Sequence, residues 1–246
     1  MLFRSIHTGV LFLDELPEFP RGVLEVLRQP LEDGAITVAR AAGVITFPAR
    51  FMLVATRNPC PCGYMGDPSG VCQCKQASIT RYQRKISGPL LDRIDIAIDV
   101  PRLDDQAVIT AQAAEPSAAV AKRVASCRAL QTKRFQESEI SCNAHMTNQD
   151  MQNYCKINNE IQGLALTAMR QFNLSARGYN RIIKVARTIA DLENSDTIEV
   201  NHFTEALQYR PRFVQAEPTP IATPNKKRPS NRHLRATNQA VQLQPR

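Results

Sequence analysis

Two groups of residues in this 246-residue chain have the types and spacing to do chemistry. The first is Asp14-Glu15, which ends the apolar run Gly9-Val10-Leu11-Phe12-Leu13. A buried strand that ends in adjacent carboxylates can present one to a Mg²⁺ ion and the other to an attacking water beside a nucleotide. The alternative is a strand that happens to end in solvated acids. The second group is Cys60-Pro61-Cys62, then nine residues, then Cys72-Gln73-Cys74. Four thiolates on two tight turns can build a tetrahedral zinc site, although structural sites more often place two or more residues between paired cysteines. Gly63, Gly66, Pro68 and Gly70 give the intervening loop little core of its own, so a metal would order it. The alternative is a Gly/Pro loop with incidental thiols. Cys127, Cys142 and Cys155 are scattered and read as ordinary thiols.

Three further side chains are candidates. Asn58 closes a second apolar run, Phe51–Thr56, where it can reach a phosphate or a water; an Asn-Pro turn is the plainer account. Arg93, in Gly88-Pro89-Leu90-Leu91-Asp92-Arg93-Ile94-Asp95, can act as a finger on a neighbouring nucleotide, a contact worth roughly 10³–10⁵ in rate. Without that context it pairs with Asp92 or Asp95. Arg177 lies in the first turn of an amphipathic helix capped by Ser175, where the dipole disfavours a cation unless an anion faces it; Arg181, one turn on, can serve instead.

The elements that must position these residues follow from pattern. A helix from Arg21 to Leu31 is expected, ended or kinked by Pro30. Alternation on both sides of Ala41-Ala42-Gly43 predicts a β-hairpin over 36–47 with Arg40 near its tip. The spacing from Asp14 to Asn58 suits adjacent parallel strands joined by a crossover. A basic helix is expected over 76–86, broken by Gly88-Pro89, and a third strand over 94–100, stopped by Pro101. Beyond that the β signal ends. Helices are expected over 118–135, from Thr147 with Asp150, and over 158–172, 176–191 and 201–209. The fold class is therefore α/β giving way near residue 105 to an all-α part.

The formal charge of +8 points to an anionic partner, and its distribution is uneven. Residues 211–246 hold seven Lys/Arg, one acid and six of the sixteen prolines, so that segment carries +6 and the rest only +2. This composition predicts a disordered basic tail, able to touch nucleic acid through phosphates or to serve as a solvated appendage. No apolar run approaches the roughly 20 residues that cross a bilayer, and no leader is read. The expectation is a cytoplasmic protein with no membrane partner.

No glycine among the ten is followed by Lys, so the Gly-Lys-Ser/Thr loop that cradles phosphates is absent from these residues. Taken in order, Val10–Phe19, Arg28-Gln29-Pro30-Leu31-Glu32-Asp33-Gly34, Asn58–Gly63, Gly88–Asp95 and Leu174-Ser175-Ala176-Arg177 through Leu192 resemble the magnesium-chelatase-like AAA+ ATPases of the ComM/YifB type. The minichromosome-maintenance helicases are more distantly similar. The resemblance covers about residues 9–211. It implies a partial AAA+ parallel sheet with a hairpin insertion over 1–104, a helical lid over 105–211, and the tail over 212–246. It implies Asp14 and Glu15 as the Walker B pair, Asn58 as first sensor, Arg93 as arginine finger, Arg177 as second sensor, and Arg40 as a DNA contact. ATP and Mg²⁺ are the implied cofactors. DNA is the implied partner, in a hexameric ring or with an upstream fragment that carries the phosphate loop. The expectation is the C-terminal part of an ATPase that remodels DNA in natural transformation and that alone neither binds ATP tightly nor hydrolyses it. The rivals are a non-catalytic zinc- and DNA-binding fragment or pseudogene product and, less well supported, a metal-chelatase subunit.

Overall fold

The computed structural model describes residues 6–40, 43–67, 70–101, 114–138 and 140–211. Strand β1 (Val10–Leu13) pairs in parallel with β4 (Met52–Ala55), in the register Val10 to Met52 through Leu13 to Ala55. Parallel neighbours need a long crossover. Here it contains helices α1 (Arg21–Val26) and α2 (Arg28–Asp33) and an antiparallel hairpin, β2 (Ala35–Arg40) with β3 (Gly43–Pro48). The two pairs are separate two-stranded sheets.

The single helix expected over 21–31 is two short ones that meet at Leu27. Pro30 sits inside the first turn of α2, where its missing N–H would have had no intrahelical partner. Gly34 closes α2 in the left-handed conformation, φ 63°, and a Cβ there would meet Arg50 Cγ at 2.8 Å. Only glycine fits both demands.

Helix α3 (Gln76–Gln83) follows the cysteine loop, and α4 (Gly88–Leu91) begins at the expected break, with the Ser87 hydroxyl accepting from Leu90 N–H. The third strand over 94–100 does not form. Alternating side chains only ask for a ladder, and no described strand lies alongside to supply one. Instead Ala97 N–H donates to Tyr209 carbonyl at 2.7 Å, and Ile96, Ile98 and Val100 stay exposed.

The C-terminal half is helical: α5 (Ser117–Arg134), α6 (Asn148–Tyr154), α7 (Asn159–Gln171), α8 (Ala176–Leu192) and α9 (Val200–Gln208). Two of its caps, at Thr147 and Ser175, are those the sequence marks. Thr147 and Asp150 form a reciprocal capping box even with the shorter acid, Thr147 N–H donating to Asp150 at 2.8 Å. Asn158 and Ser175 accept from Ile161 and Gly178 N–H. Ile161, Ala165, Ile182, Ile183, Ala186, Phe203 and Ala206 pack into one core; a second, of Leu11, Leu16, Leu24, Leu27, Ile86 and Leu90, joins β1 to α1 and α4.

The described residues lie within one compact unit. The expected boundary near residue 105 and the tail from 212 lie outside the described residues, as does the turn at Ala41-Ala42. No helix among the described residues is long and apolar enough to cross a membrane.

Candidate functional site

Parallel pairing of β1 and β4 brings the two candidate strand ends side by side. Thr56, just past β4, donates its hydroxyl to Asp14 Oδ1 at 2.5 Å and accepts Glu15 N–H at 2.9 Å. Its backbone continues the ladder, taking Leu16 N–H at 2.8 Å and giving its own N–H to Leu13 carbonyl at 3.0 Å. Glu15 is left-handed, φ 51° and ψ 54°, a conformation that costs a non-glycine residue about 1–3 kcal/mol and collects at functional sites. The turn throws both carboxylates to the surface, where neither forms an ion pair among the described residues.

Asn58 follows two residues after Thr56. Its side chain is exposed and makes no hydrogen bond among the described residues, while its backbone bonds the Tyr82 hydroxyl. Burial, then the carboxylate of Glu18 and, more weakly, that of Glu15, push that hydroxyl above the usual tyrosine range, so α3 packs close to the acidic strand end. Gln83 of α3 also donates to Pro59 carbonyl at 3.1 Å.

The two arginines meet elsewhere, on a residue that pattern reading did not single out. Glu32 of α2 forms an ion pair with Arg93 and a second with Arg177 Nε at 2.9 Å. Arg93 also donates to Pro89 carbonyl at 2.7 Å and is mostly buried, whereas the Arg177 side chain is 72% exposed. The expected partners of Arg93 are taken: Asp92 pairs with Arg210, and Asp95 with Arg181. Burial, then the nearby charges of Arg28, Arg177 and Arg181, hold the Arg93 guanidinium below its ordinary range. An open cavity of about 380 Å³, lined by Glu25, Arg28, Gln29, Glu32, Asp33 and Arg93, lies alongside. No ion pair joins this arginine group to Asp14 or Glu15 among the described residues. Thr56 and Glu32 escaped sequence reading because each acts through a partner more than forty residues away. Arg40 ends β2 at the hairpin turn.

The cysteine loop closes on itself. The sulfurs of Cys60, Cys62, Cys72 and Cys74 all lie within 4.8 Å of one another, with Cys60–Cys62 at 3.3 Å, Cys60–Cys72 at 3.8 Å and Cys62–Cys72 at 3.6 Å. Tetrahedral Zn–S bonds of about 2.3 Å place sulfurs about 3.8 Å apart, so the donor set and its spacing fit zinc. Burial opposes ionisation of Cys60, but hydrogen bonds from the Cys62 thiol, the Met65 and Cys62 backbone and the Cys72 thiol outweigh it and bring its pKa down to about 6.

Comparison with known proteins gives this arrangement a family. The profile described as magnesium chelatase, subunit ChlI, matches residues 4–108, and its C-terminal counterpart matches residues 114–210. The chain belongs to the magnesium-chelatase-like family of ComM and YifB. It is 43% identical over 203 residues to the competence protein ComM of Haemophilus influenzae, covering 82% of this chain and 39% of that protein. It is 41% identical over 207 residues to YifB of Escherichia coli, covering 83% and 39% respectively. An uncharacterised Mycobacterium tuberculosis protein, Rv2897c, is 38% identical over 204 residues, 83% of this chain and 40% of its own length. The chain thus spans about two fifths of the length of the relatives it matches. The family assignment takes in both the acidic strand end and the helices that carry Arg177.

Proposed function

We propose that this chain supplies the acidic half of an ATP-hydrolysing site, and the helical lid beside it, to a ring-forming AAA+ machine that works on DNA. The observation that carries this reading is the parallel β1–β4 register, which sets Asp14, Glu15, Thr56 and Asn58 along one strand-end edge, where α/β sheets place their ligands. When bound, ATP supplies the phosphoryl group and Mg²⁺ neutralises its charge. Asp14, oriented by the Thr56 hydroxyl, is the residue placed to hold the ion. Glu15 is placed to polarise the attacking water, and Asn58 offers a free amide to the same water or to a phosphate oxygen. Arg93 is the cation for the nucleotide of a neighbouring subunit, in the hexamer that the family resemblance suggests, and Arg177 is the second sensor. The phosphate-binding loop comes from outside these residues. ComM is named for competence, and by likeness to it we extend to this chain a role in remodelling incoming DNA, with Arg40 as a hairpin contact.

The test is ATP turnover by this chain fused behind the phosphate-loop segment of a full-length relative. DNA-stimulated turnover that Glu15→Gln abolishes is expected; turnover undiminished by Glu15→Gln overturns the reading.

The four cysteines form, on this reading, a structural zinc site that ties the loop after Asn58 to α3. Purified chain is expected to carry about one zinc, lost on Cys60→Ser. Well under one metal per chain in the parent refutes it.

A further inference from the structure

The α3 surface bears positive charge that the proposed ATP site does not use. Ile79, Tyr82 and Ile86 are buried on one side of this segment, Ile86 within the α/β core. Gln83 and Tyr82 fasten it to the 58–59 backbone. Ala77, Arg81 and Arg84, at spacings of four and three, share the opposite side. Across from them stands Arg21 at the start of α1. Together with Gln76, Thr80 and Lys85 they line an open cavity of about 680 Å³ with no carboxylate in its wall.

Most of the charge here is not neutralised by direct contact. Lys85 pairs with Glu18 at 3.2 Å and Arg21 acts at a distance on the Glu25 carboxylate, but the side chains of Arg21, Arg81 and Arg84 form no ion pair or hydrogen bond among the described residues. The cavity beside Arg93 is the reverse case, with Glu25, Glu32 and Asp33 facing Arg28 and Arg93. Three guanidiniums without a direct ion pair, with a hydroxyl and an amide between them, suit phosphates, which take guanidinium forks in pairs. A membrane surface would ask for large apolar side chains to insert, and the lining offers only Ala77.

We infer that the groove between the start of α1 and the exposed side of α3 is a second nucleic-acid surface, in which Arg21, Arg81 and Arg84 hold backbone phosphates without reading sequence. This rests on the proposed action on DNA and adds a contact separate from the hairpin that carries Arg40.

The test is fluorescence anisotropy of the full chain with a labelled 20-nucleotide single strand across a salt series. Arg81→Ala with Arg84→Ala is expected to weaken binding about ten-fold at 100 mM salt. It should also flatten the slope of log K against log salt by about 1.4, two contacts at about 0.7 each. Arg21→Ala with Arg81→Ala, spanning both walls, should do the same, which guards against a local disturbance of α3. A control removing equal charge from the helical half, Lys156→Ala with Arg170→Ala, should change affinity less than two-fold. Equal losses from control and test pairs overturn the inference, as does unchanged DNA binding by the α3 variants. Loss of binding to phosphatidylserine vesicles with DNA binding intact overturns it in favour of a lipid surface. If the parent chain binds no DNA at all, the proposed action on DNA falls with it.

Discussion

The helical half and the α/β half of this molecule use the same apolar residue types to different effect. In the helices the stripe spacing closes on itself: Ile161, Ile182, Ala186 and Phe203 are all essentially removed from water. Even the charged groups are enclosed. Asp191 accepts from Arg134 at 2.5 and 2.7 Å, from Asn143 at 2.8 Å and from Arg187 Nε at 3.0 Å, while Arg187 also donates to the carbonyls of Asp196 and Ser195. In the α/β half, Val10 is 59% exposed, Phe12 58% and Met52 64%, in strands whose parallel pairing normally goes with cover on both faces. A helix can bury its stripe against one neighbour, whereas a parallel strand needs neighbours on two edges and two faces. The α/β half is therefore held by what lies under β1, Leu11 against Leu16, Leu24 and Leu90, more than by its sheet.

This contrast can be broken by experiment, most sharply in the helical half. Asp191→Ala should cost about 3–5 kcal/mol in denaturant unfolding, because two buried guanidiniums lose their shared anion. A loss under 1 kcal/mol would show that the network contributes little. The same carboxylate gives a pH signature. Burial opposes its charge, but Arg134, Asn143 and Arg187 outweigh that and hold its pKa below the ordinary value. Its contribution is fully present above the unfolded carboxylate pKa of about 4 and is lost as pH falls through the lower folded value. Between pH 5 and 3, the parent's unfolding midpoint should therefore fall more than that of Asp191→Ala.

Ile161→Ala comes next, at about 2–4 kcal/mol by thermal unfolding, since the site is fully enclosed. In the α/β half, Thr56→Val should cost only about 1–2 kcal/mol, the worth of the two hydrogen bonds that its hydroxyl makes with Asp14 and with Glu15 N–H at an exposed strand end. Its larger effect should fall on Mg²⁺-dependent turnover in the fused protein. The smallest effect is expected at Phe12: Phe12→Ser should stay within about 0.5 kcal/mol, despite replacing a phenylalanine within a β-strand. A loss of 2 kcal/mol there would show that the sheet face is covered in solution.

Much of this was legible in the sequence because it is local. Ser175 and the Thr147/Asp150 pair announce helix starts that form, and Val10–Leu13 and Met52–Ala55 are short apolar runs that become strands. The failure at 94–100 marks the limit. Ile94, Ile96, Ile98 and Val100 alternate as a strand should, but a strand exists only where another backbone takes its hydrogen bonds. Likewise Arg93 lies beside Asp92 and Asp95 in sequence, yet its anion is Glu32, because Arg210 and Arg181 reach those two acids first.

The sequence by itself determined the family, most of the elements and their order, two of the helix caps and the residue types at each chemical position. These depend on spacings of one to four residues and on motifs in a fixed order. Only the tertiary structure decided that Thr56 orients Asp14, that Glu32 holds Arg93 and Arg177 together, that four thiols meet, and that three arginines around α1 and α3 form no ion pair among the described residues. The Thr56 and Glu32 contacts set partners 41–145 positions apart against nearer competitors, and side-chain reach in space, not separation along the chain, selects among them.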